Sequence, residues 1–561
     1  MKTTSGSRTN ARWGKEISEQ MSEIAETVLI VGAGPTGMMA ALELSRFGIP
    51  VRLIDKTPEP ATTSRAVGVQ ARTLELWQQR GMADSLVPLG NKGVAATSFA
   101  DGKRIFRLEF KHTDSDYHYI LFVSQAETER VLRETLDRSG VKVERSTALV
   151  AFAQGEESSG VTAVLQHGDE SIERFPCSYM IAAEGAHSIV RATLGLSFEG
   201  KSLEEQYALG DLYVDGDIVD SDLQTFSSEH GFLGLFPMGN RRFRLIASNP
   251  ISKPSKDTEP SLEELQQIYD QRSHLPARFR DMSWSSWFHI NSRMIHRMNV
   301  GKVFLGGDSA HIHSPSGAQG MNTGMQDMIN LGWKLALVIK GEAKPELLGT
   351  YTAERVPIIR NVLTKTEGLT KIIGSENEVF RALYTHIAPW LVGIEFVQEN
   401  STERMSQLAL NYRDSSLSVS DGHSGNLRSG DRMPDLPVTL LNREGSAEQN
   451  PTPATVFGLL DPSTFTLFYS NITDPARTHS QIHGAIGSWH YLMRGHQIAA
   501  DKHHRDDFQK LFGDSSSILL VRPDGYIGFT GTEKSILELA KYCDQWFVSK
   551  PLPTNKKEQH A

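Results

Sequence analysis

The residues best suited to chemistry in this chain sit in two glycine-rich segments. The first is VLIVGAGPTG at Val28–Gly37, and the second is GKVFLGGDSAHIHSPSGAQGMNTG at Gly301–Gly324. Val28–Val31 are apolar and mostly β-branched, which predicts a buried parallel strand. Gly32, Gly34 and Gly37 give G-x-G-x-x-G, and Met38, Met39, Ala40, Ala41, Leu42 and Leu44 continue as a helix. Such glycines permit a tight turn, close backbone approach to a pyrophosphate and close helix–strand packing. The new helix then turns its free N–H groups and positive dipole end toward the phosphates. A second strand is predicted at Val51–Ile54, ending at Asp55, about where a ribose-binding carboxylate belongs. Gly32, Ala33, Gly34, Pro35, Thr36 and Gly37, with Asp55 and the adjacent Lys56, form a candidate cofactor cradle. The order of the two segments implies one extended ligand held at both ends. FAD fits, with its flavin ring as the reacting part.

The rest of the chain must position these segments. At 561 residues it exceeds one core, so two to four domains are expected. A hydrophobic share of 39% and a charged share of 22% are ordinary for a globular chain. A net charge of −9 gives no basis for a nucleic-acid partner. Cys177 and Cys543 are the only cysteines, which excludes a disulfide framework and fits a reducing, cytoplasmic compartment. No apolar run approaches the ~20 residues of a membrane span. LGWKLALVI at Leu331–Ile339 is short and is interrupted by Lys334. Residues 1–26 lack the apolar core of a secretory signal. Their early basic residues have a transit-peptide trait, but a disordered tail, or a start at Met21, is the favoured reading.

Periodicity predicts an α/β organisation. Ser64–Met82 reads as a loop leading into an amphipathic helix, and Ile120–Gly140 as a strand followed by a helix. Strands follow at Leu149–Phe152, Gly160–Gln166 and Tyr179–Ala183. From about 206 to 300, strand-like runs alternate with polar stretches without Rossmann-like helices, as in an inserted antiparallel sheet. Gly301–Leu305 returns to a buried strand, followed by helical segments near 322–340 and 351–410. The expected divisions are a tail at 1–26, a first nucleotide-binding part at 27–205, a β-rich substrate domain at 206–300 and a second nucleotide-binding part at 301–420. A Gly/Ser-rich linker at 421–435, a separate α/β module at 436–550 with a helix at Glu533–Phe547, and a tail at 551–561 complete the reading.

These residues resemble the class A FAD-dependent monooxygenases, the aromatic-ring hydroxylases related to phenol hydroxylase and to the hydroxylases of aromatic polyketides. The resemblance covers nearly everything after Glu26. GAGPTG carries it, together with AAEGAHSIVR at Ala182–Arg191, similar to the family's D-G motif, and GGDSAHIHSPSGAQGMNTG, similar to its G-D motif. RAVGVQARTLE and SQAETER match two further stretches. The resemblance implies a Rossmann-like FAD-binding domain, an inserted β-rich substrate domain and a C-terminal thioredoxin-like domain. That last domain lacks C-x-x-C, so thiol redox chemistry is not expected of it.

By motif, Asp308 would hydrogen-bond the flavin ribityl chain. Gly320, Met321 and Asn322 would present backbone to the pyrimidine edge of the flavin, where a helix start stabilises negative charge. Arg65 and Gln125 match FAD-contacting positions. Glu184 and Gly185 match the bridge between the FAD pyrophosphate and the NAD(P)H route, although the family's Asp is here Glu184, one methylene longer. Ala318 stands where Gly is common. Plainer readings stay open: Asp308 as a helix cap, Arg65 as a surface cation, Gln125 as the cap of its helix, Arg191 as an ion-pair partner. His311 and His313 form H-x-H, but no acid or thiol cluster completes a metal site, and none is expected. Phenol hydroxylase relatives place a phenol-deprotonating Asp where this chain has Val67, and their substrate-side Tyr falls on Phe288. A larger, more apolar phenolic or polyketide-like substrate is therefore expected.

The implied reaction uses NADPH or NADH and O2 to hydroxylate an electron-rich ring through a flavin C4a-hydroperoxide, with the hard chemistry left to the cofactor. No catalytic acid or base is nominated. Rival readings are Baeyer–Villiger oxygenation of a polyketide ketone, a flavin oxidoreductase without oxygen insertion, and a non-catalytic assembly protein, which the paired motifs argue against. The C-terminal domain's expected work is packing or contacts in a homodimer.

Overall fold

Val28–Val31 forms the buried strand its composition predicts, paired in parallel with Val51–Ile54 on one side and Tyr179–Ala182 on the other. The structure is a computed structural model that describes residues 26–61, 66–155, 160–248, 259–313, 319–373, 401–441 and 454–551, without the side chains of 202–205, 290 and 365–373. The expected terminal tails, apart from Glu26 and Pro551, lie outside the described residues, as do 374–400 of the predicted helical region. The six-stranded sheet runs Asn299–Val300, Val303–Leu305, Tyr179–Ala182, Val28–Val31, Val51–Ile54, Val143–Glu144. Its strands are parallel except for the short outer hairpin at Asn299–Val300. The chain returns to this sheet from distant points of the sequence. Both glycine-rich segments and the Ala182–Arg191 motif thereby leave neighbouring strand ends. Open α/β sheets bind ligands at such strand ends.

The described residues up to Ile329, with Arg355–Leu408, form one unit, and Asn330–Glu354 with the residues from Ala409 onward form a second. The first unit also holds an eight-stranded sheet in the order His311–Ile312, Ala277–Met294, Glu199–Gly216, Arg242–Ser248, Gly231–Pro237, Asp222–Ser228, Ala95–Ala100, Lys103–Glu109. Strand alternation gives this sheet two apolar faces. Leu212, Leu233, Phe243 and Leu245 pack with Leu265, Ile268 and Tyr269 of the helix Leu262–Ser273. Tyr207, Leu209, Phe236 and Ile246 face the other way and pack with Val67, Phe110, Ile120 and Phe122.

Two details differ from the sequence reading. The inserted region holds the helix Leu262–Ser273, announced by a cap at Ser261, whose Oγ accepts the Glu264 N–H at 3.1 Å. The sheet also recruits Ala95–Glu109, well before residue 206. Ala95–Ala100 pairs in parallel with Asp222–Ser228, a long-range pairing that no local pattern reports.

The second unit is built on a seven-stranded mixed sheet. Its order is Val419–Asp421, Ile527–Gly531, Ser517–Val521, Phe465–Ser470, Met493–Ala500, Pro437–Leu441, Ala454–Thr455. Phe468, Leu519, Val521, Ile527, Phe508 and Phe512 fill one of its faces. The stretch expected as a linker at 421–435 is tied into this unit. The Gly430 N–H donates to Ile527 O at 2.6 Å and the Met433 N–H to Gly525 O at 3.0 Å. The helix expected at Glu533–Phe547 spans Ile536–Trp546.

Lys334, the charge that interrupts the apolar run at Leu331–Ile339, belongs to a buried network. Glu354 accepts from Lys334 Nζ at 2.7 Å, Asn330 Nδ2 at 2.7 Å, Ser415 Oγ at 2.7 Å and both Arg522 Nη atoms at 2.7 and 2.9 Å. Lys334, Glu354 and Arg522 have no exposed side-chain surface. Burial alone would raise the Glu354 carboxyl, but Arg522 and Lys334 outweigh it and hold it far below the usual carboxylate range. Replacing Glu354 with Gln takes the carboxylate from the buried Lys334 ammonium and leaves Arg522 with Asp524 alone. That should lower the unfolding free energy by about 3–5 kcal/mol, read by denaturant titration. A loss under about 1 kcal/mol, the value of an exposed pair, would show that the network does not hold this unit together.

Candidate functional site

The strand ends of the six-stranded sheet open on a cleft of about 670 Å³ in the first unit. Its floor is the first glycine turn. Gly32 has φ +101°, and a Cβ there would lie 2.3 Å from Ala183 O. A Cβ on Gly37 would lie 1.8 Å from Gly32 O, so this glycine lets the helix Pro35–Arg46 approach the strand. Gly34 differs, because a Cβ there would meet nothing within 4 Å. The protein itself does not require Gly34 to be small, whereas a phosphate lying on the turn would. The helix beyond starts without a side-chain cap and has no acid in its first turn, leaving its N–H groups for an anion. These are the features a flavin-nucleotide pyrophosphate needs, so the residues present fit FAD.

Asp55 closes the turn. Its Oδ2 accepts the Ala33 N–H at 2.7 Å, and its Oδ1 accepts from the Thr57 N–H at 2.8 Å and the Thr57 hydroxyl at 2.6 Å. It therefore straps the glycine loop to the second strand, a role its position in sequence did not reveal. Arg145 donates to Thr57 Oγ1 at 3.1 Å and lies 3.7 Å from Asp55. Arg145 and Lys56 line the same end of the cleft.

Glu184 and Gly185 also line the cleft, but the Glu184 carboxylate serves the neighbouring helix. It accepts from Ser188 Oγ at 2.6 Å and from the Ile189 and Val190 N–H groups at 3.3 Å each, at the start of Ile189–Thr193. Burial raises its carboxyl pKa, with these hydrogen bonds opposing. Arg191 donates to Ser309 O at 3.0 Å and Ala186 O at 2.7 Å, and the Gly185 N–H donates to Ser309 Oγ at 3.1 Å. Arg191 is thus a brace between two motifs, stacked 3.9 Å over Phe198, and the Glu184 carboxylate also acts on its charge.

The second glycine segment forms the turn Gly307–Ser309 and the helix Gly320–Ile339. Asp308 is exposed at the cleft, beside Gly320 and Met321. Asp327 holds the turn from behind. It accepts the Gly307 N–H at 3.0 Å, His311 Nε2 at 2.8 Å and Arg355 Nε at 2.7 Å. Burial would raise its carboxyl, but Arg355 and His311 keep it below the ordinary range.

The His311 ring lies parallel to His313 at 6.4 Å, with its Nε2 committed to Asp327. Among the described residues, the metal-type grouping is instead Glu144, His167 and Glu173, and Arg52 donates to both glutamates at 2.7–2.9 Å. A guanidinium already occupies the centre of that group.

Gln125 is not the cap of its helix; Ser124 is, accepting the Glu127 N–H at 3.2 Å. Gln125 accepts the Ala66 N–H at 3.3 Å and donates to Glu129 at 2.8 Å, on the cleft. Val67 closes the apolar end with Phe236 and Ile246. Phe288 stands one layer back, 5.4 Å from Tyr207, in the same apolar cluster. The Asn322 side chain is fully buried and turned to Gly68 and Gln70. Arg65 and Ala318 lie outside the described residues. Glu129, Arg145 and Asp327 were not anticipated. Only Glu129 left a trace, four positions after Gln125 on one helix face.

A fold and cleft of this kind define a flavin-nucleotide enzyme, and comparison with known proteins specifies the class. Residues 25–366 match the family described as FAD binding domain. Pentachlorophenol 4-monooxygenase of Sphingobium chlorophenolicum is 34% identical over 73% of this chain and 75% of its own length. For 6-methylpretetramide 4-monooxygenase of Streptomyces rimosus the identity is 34% over 70% and 71%. The solved structure of OxyS anhydrotetracycline hydroxylase from Streptomyces rimosus superimposes with a TM-score of 0.74 and 27% identity, covering 94% of this chain and 99% of that one. The chain belongs to the FAD-dependent aromatic hydroxylases. It is an NAD(P)H-dependent flavoprotein monooxygenase with FAD as its cofactor. Among the described residues, no helix is long and apolar enough to cross a membrane.

Asp308→Ala removes a carboxylate from the cleft. If that carboxylate holds the cofactor, FAD affinity should fall by the equivalent of about 1.5–3 kcal/mol, the worth of a charge-assisted hydrogen bond. Fluorescence titration of apoprotein with FAD reads this directly. Unchanged affinity would remove Asp308 from the binding set.

Proposed function

We propose that this monooxygenase hydroxylates a phenolic or polyketide-derived ring held at the apolar end of the cleft. The observation that carries the reading is the wall of Val67, Phe236 and Ile246, continuous with the glycine turns at the other end. The named relatives point the same way: one carries pentachlorophenol in its name, others pretetramide and anhydrotetracycline.

FAD, when bound, supplies electron transfer from NAD(P)H and activation of O2. The chain's residues do the rest. Gly34 and Thr36 would offer N–H groups to the pyrophosphate, since the Gly32 and Ala33 N–H groups are held by Ile54 and Asp55 and Pro35 has none. Asp55 would face the ribose end, and Asp308 would take the ribityl hydroxyls. The start of Gly320–Ile339 would hold the pyrimidine edge of the flavin through Gly320 and Met321, its positive dipole end favouring negative charge there. The apolar wall orients the ring and keeps water from the reacting atoms.

Val67 cannot accept a proton, so the ring must arrive already activated by several donating groups or lose its proton elsewhere. Plain phenol should therefore give little product per NAD(P)H oxidised, while multi-ring phenols couple well. Steady-state turnover with product counting tests this, and efficient coupled hydroxylation of phenol would overturn it. NMR of the product separates a phenol from the lactone or ester of a Baeyer–Villiger reaction. NAD(P)H oxidation with no oxygenated product from any aromatic would leave a plain oxidoreductase.

We further infer that the second unit's sheet is a thioredoxin-like module without thiol chemistry. Supporting this, Phe465–Ser470 runs parallel to Met493–Ala500 and antiparallel to Ser517–Val521, an arrangement typical of such folds. Its single cysteine, Cys543, is buried, and burial pushes the thiol pKa up, away from reactivity. The protein should not catalyse insulin reduction by dithiothreitol. Activity that disappears in Cys543→Ser would contradict the assignment.

A further inference from the structure

One residue of the cleft's apolar wall, Val67, leads directly into an edge strand. Gly68–Val69 is the outer member of a three-stranded sheet, beside Ile120–Phe122 and then Asn91–Gly93. On its inner side Gly68 pairs with Phe122 and Val69 with Leu121, and Val67 O accepts the Val123 N–H at 2.8 Å. On its outer side no further strand follows among the described residues, and the Gly68 carbonyl and the Gln70 N–H point away from the sheet. Buried edge groups of this kind need partners.

Asn322 provides both. Its Nδ2 donates to Gly68 O at 2.9 Å and its Oδ1 accepts the Gln70 N–H at 3.0 Å. One side-chain amide thus does the work of a neighbouring peptide unit. One turn along the same helix face, Gln326 Nε2 donates to Thr73 Oγ1 at 3.2 Å and to Gln407 Oε1 at 2.8 Å. The residues immediately before each end of the clamp, Met321 and Val67, both line the cleft.

We propose that Asn322 is a positioning residue whose amide locks the Val67 segment to the start of the helix Gly320–Ile339, fixing the distance between the two sides of the cleft. The inference rests on the reading of Val67 as the substrate wall. A wall that drifts misplaces the ring and admits water. Misplacement by about 1 Å is enough to cost a large factor in rate, so the loss should fall on coupling between NAD(P)H oxidation and product.

The test uses FAD-loaded enzyme and two variants. In Asn322→Ala, deuterium exchange at the Gln70 amide should accelerate about tenfold or more, while the amides of Val28–Val31 keep their wild-type rate. Product per NAD(P)H should fall at least about twofold, with hydrogen peroxide making up the difference. Asn322→Asp keeps the volume and the acceptor for Gln70 but loses the donor to Gly68. Its Gln70 amide should stay slow while coupling falls. Wild-type exchange at Gln70 in Asn322→Ala would overturn the clamp. Fast exchange there with wild-type product yield would overturn the positioning role. If the wild type hydroxylates no aromatic compound, the functional reading has failed, and the exchange measurement still decides the clamp.

Discussion

Asp327 is one carboxylate with three demands on it: the Gly307 N–H, the His311 imidazole and the Arg355 guanidinium. It is wholly buried, so none of these partners can be replaced by water. Gly307 is the first residue of the turn that presents Asp308, and it has φ +56°. A left-handed turn has few ways to satisfy its N–H, and here a charged acceptor fixes it. Arg355 adds a bond to Thr323 O at 3.1 Å, at the start of the helix that follows. The turn and the helix start are therefore set by a single charge cluster, and the cleft takes its shape between them.

Close packing makes that cluster consequential. A Cβ on Gly307 would lie 2.4 Å from Thr36 Oγ1, and one on Gly324 would lie 2.5 Å from the same atom. Thr36 belongs to the first glycine segment and the two glycines to the second. The segments thus interlock around one hydroxyl, with no room for a methyl group on the second. Pre-organisation of a binding cleft needs this kind of over-determination, since positions held on one side only would relax when the ligand leaves.

The nucleotide end of the cleft was legible in the sequence because its constraints are local. A strand, a tight turn, a helix start and an acid must follow one another at fixed spacing, and Gly32–Gly37 and Asp55 do. Asp308, Gly320 and Met321 were legible for the same reason. What escaped is what folding brings together from afar. Asp327 and Arg355 give no spacing signal with His311. Arg145 meets Asp55 only because Val143–Glu144 pairs with Leu53–Ile54. Ala95–Glu109 joins the large sheet through a parallel pairing across more than a hundred residues. Residues 421–435 looked like a linker because glycine and serine mark loops, yet their backbone groups are spent on Gly525 and Ile527. Glu184 reads as a cofactor ligand by motif; it lines the cleft, and its carboxylate also accepts from Ser188 and from the first N–H groups of Ile189–Thr193, contacts that the motif does not announce.

The apolar end of the cleft follows a different logic, which explains why its chemistry is least written in residue types. Val67 lies far in sequence from Phe236 and Ile246, which sit on two consecutive paired strands, and none of the three has a functional group to betray it. Their information lies in shape. An apolar wall discriminates weakly by itself, since each methylene in such a pocket is worth only about 1–3 kcal/mol. Selectivity must therefore come from how firmly the wall is placed against the cofactor end. Asn322 and Gln326 bond the segment that follows Val67, and Gln407 accepts from Gln326; none of these residues lines the cleft. In a cofactor enzyme whose reacting group is not its own, the proposed clamp at Asn322 would place part of the specificity in polar groups outside the cleft lining, which decide where an apolar surface stands.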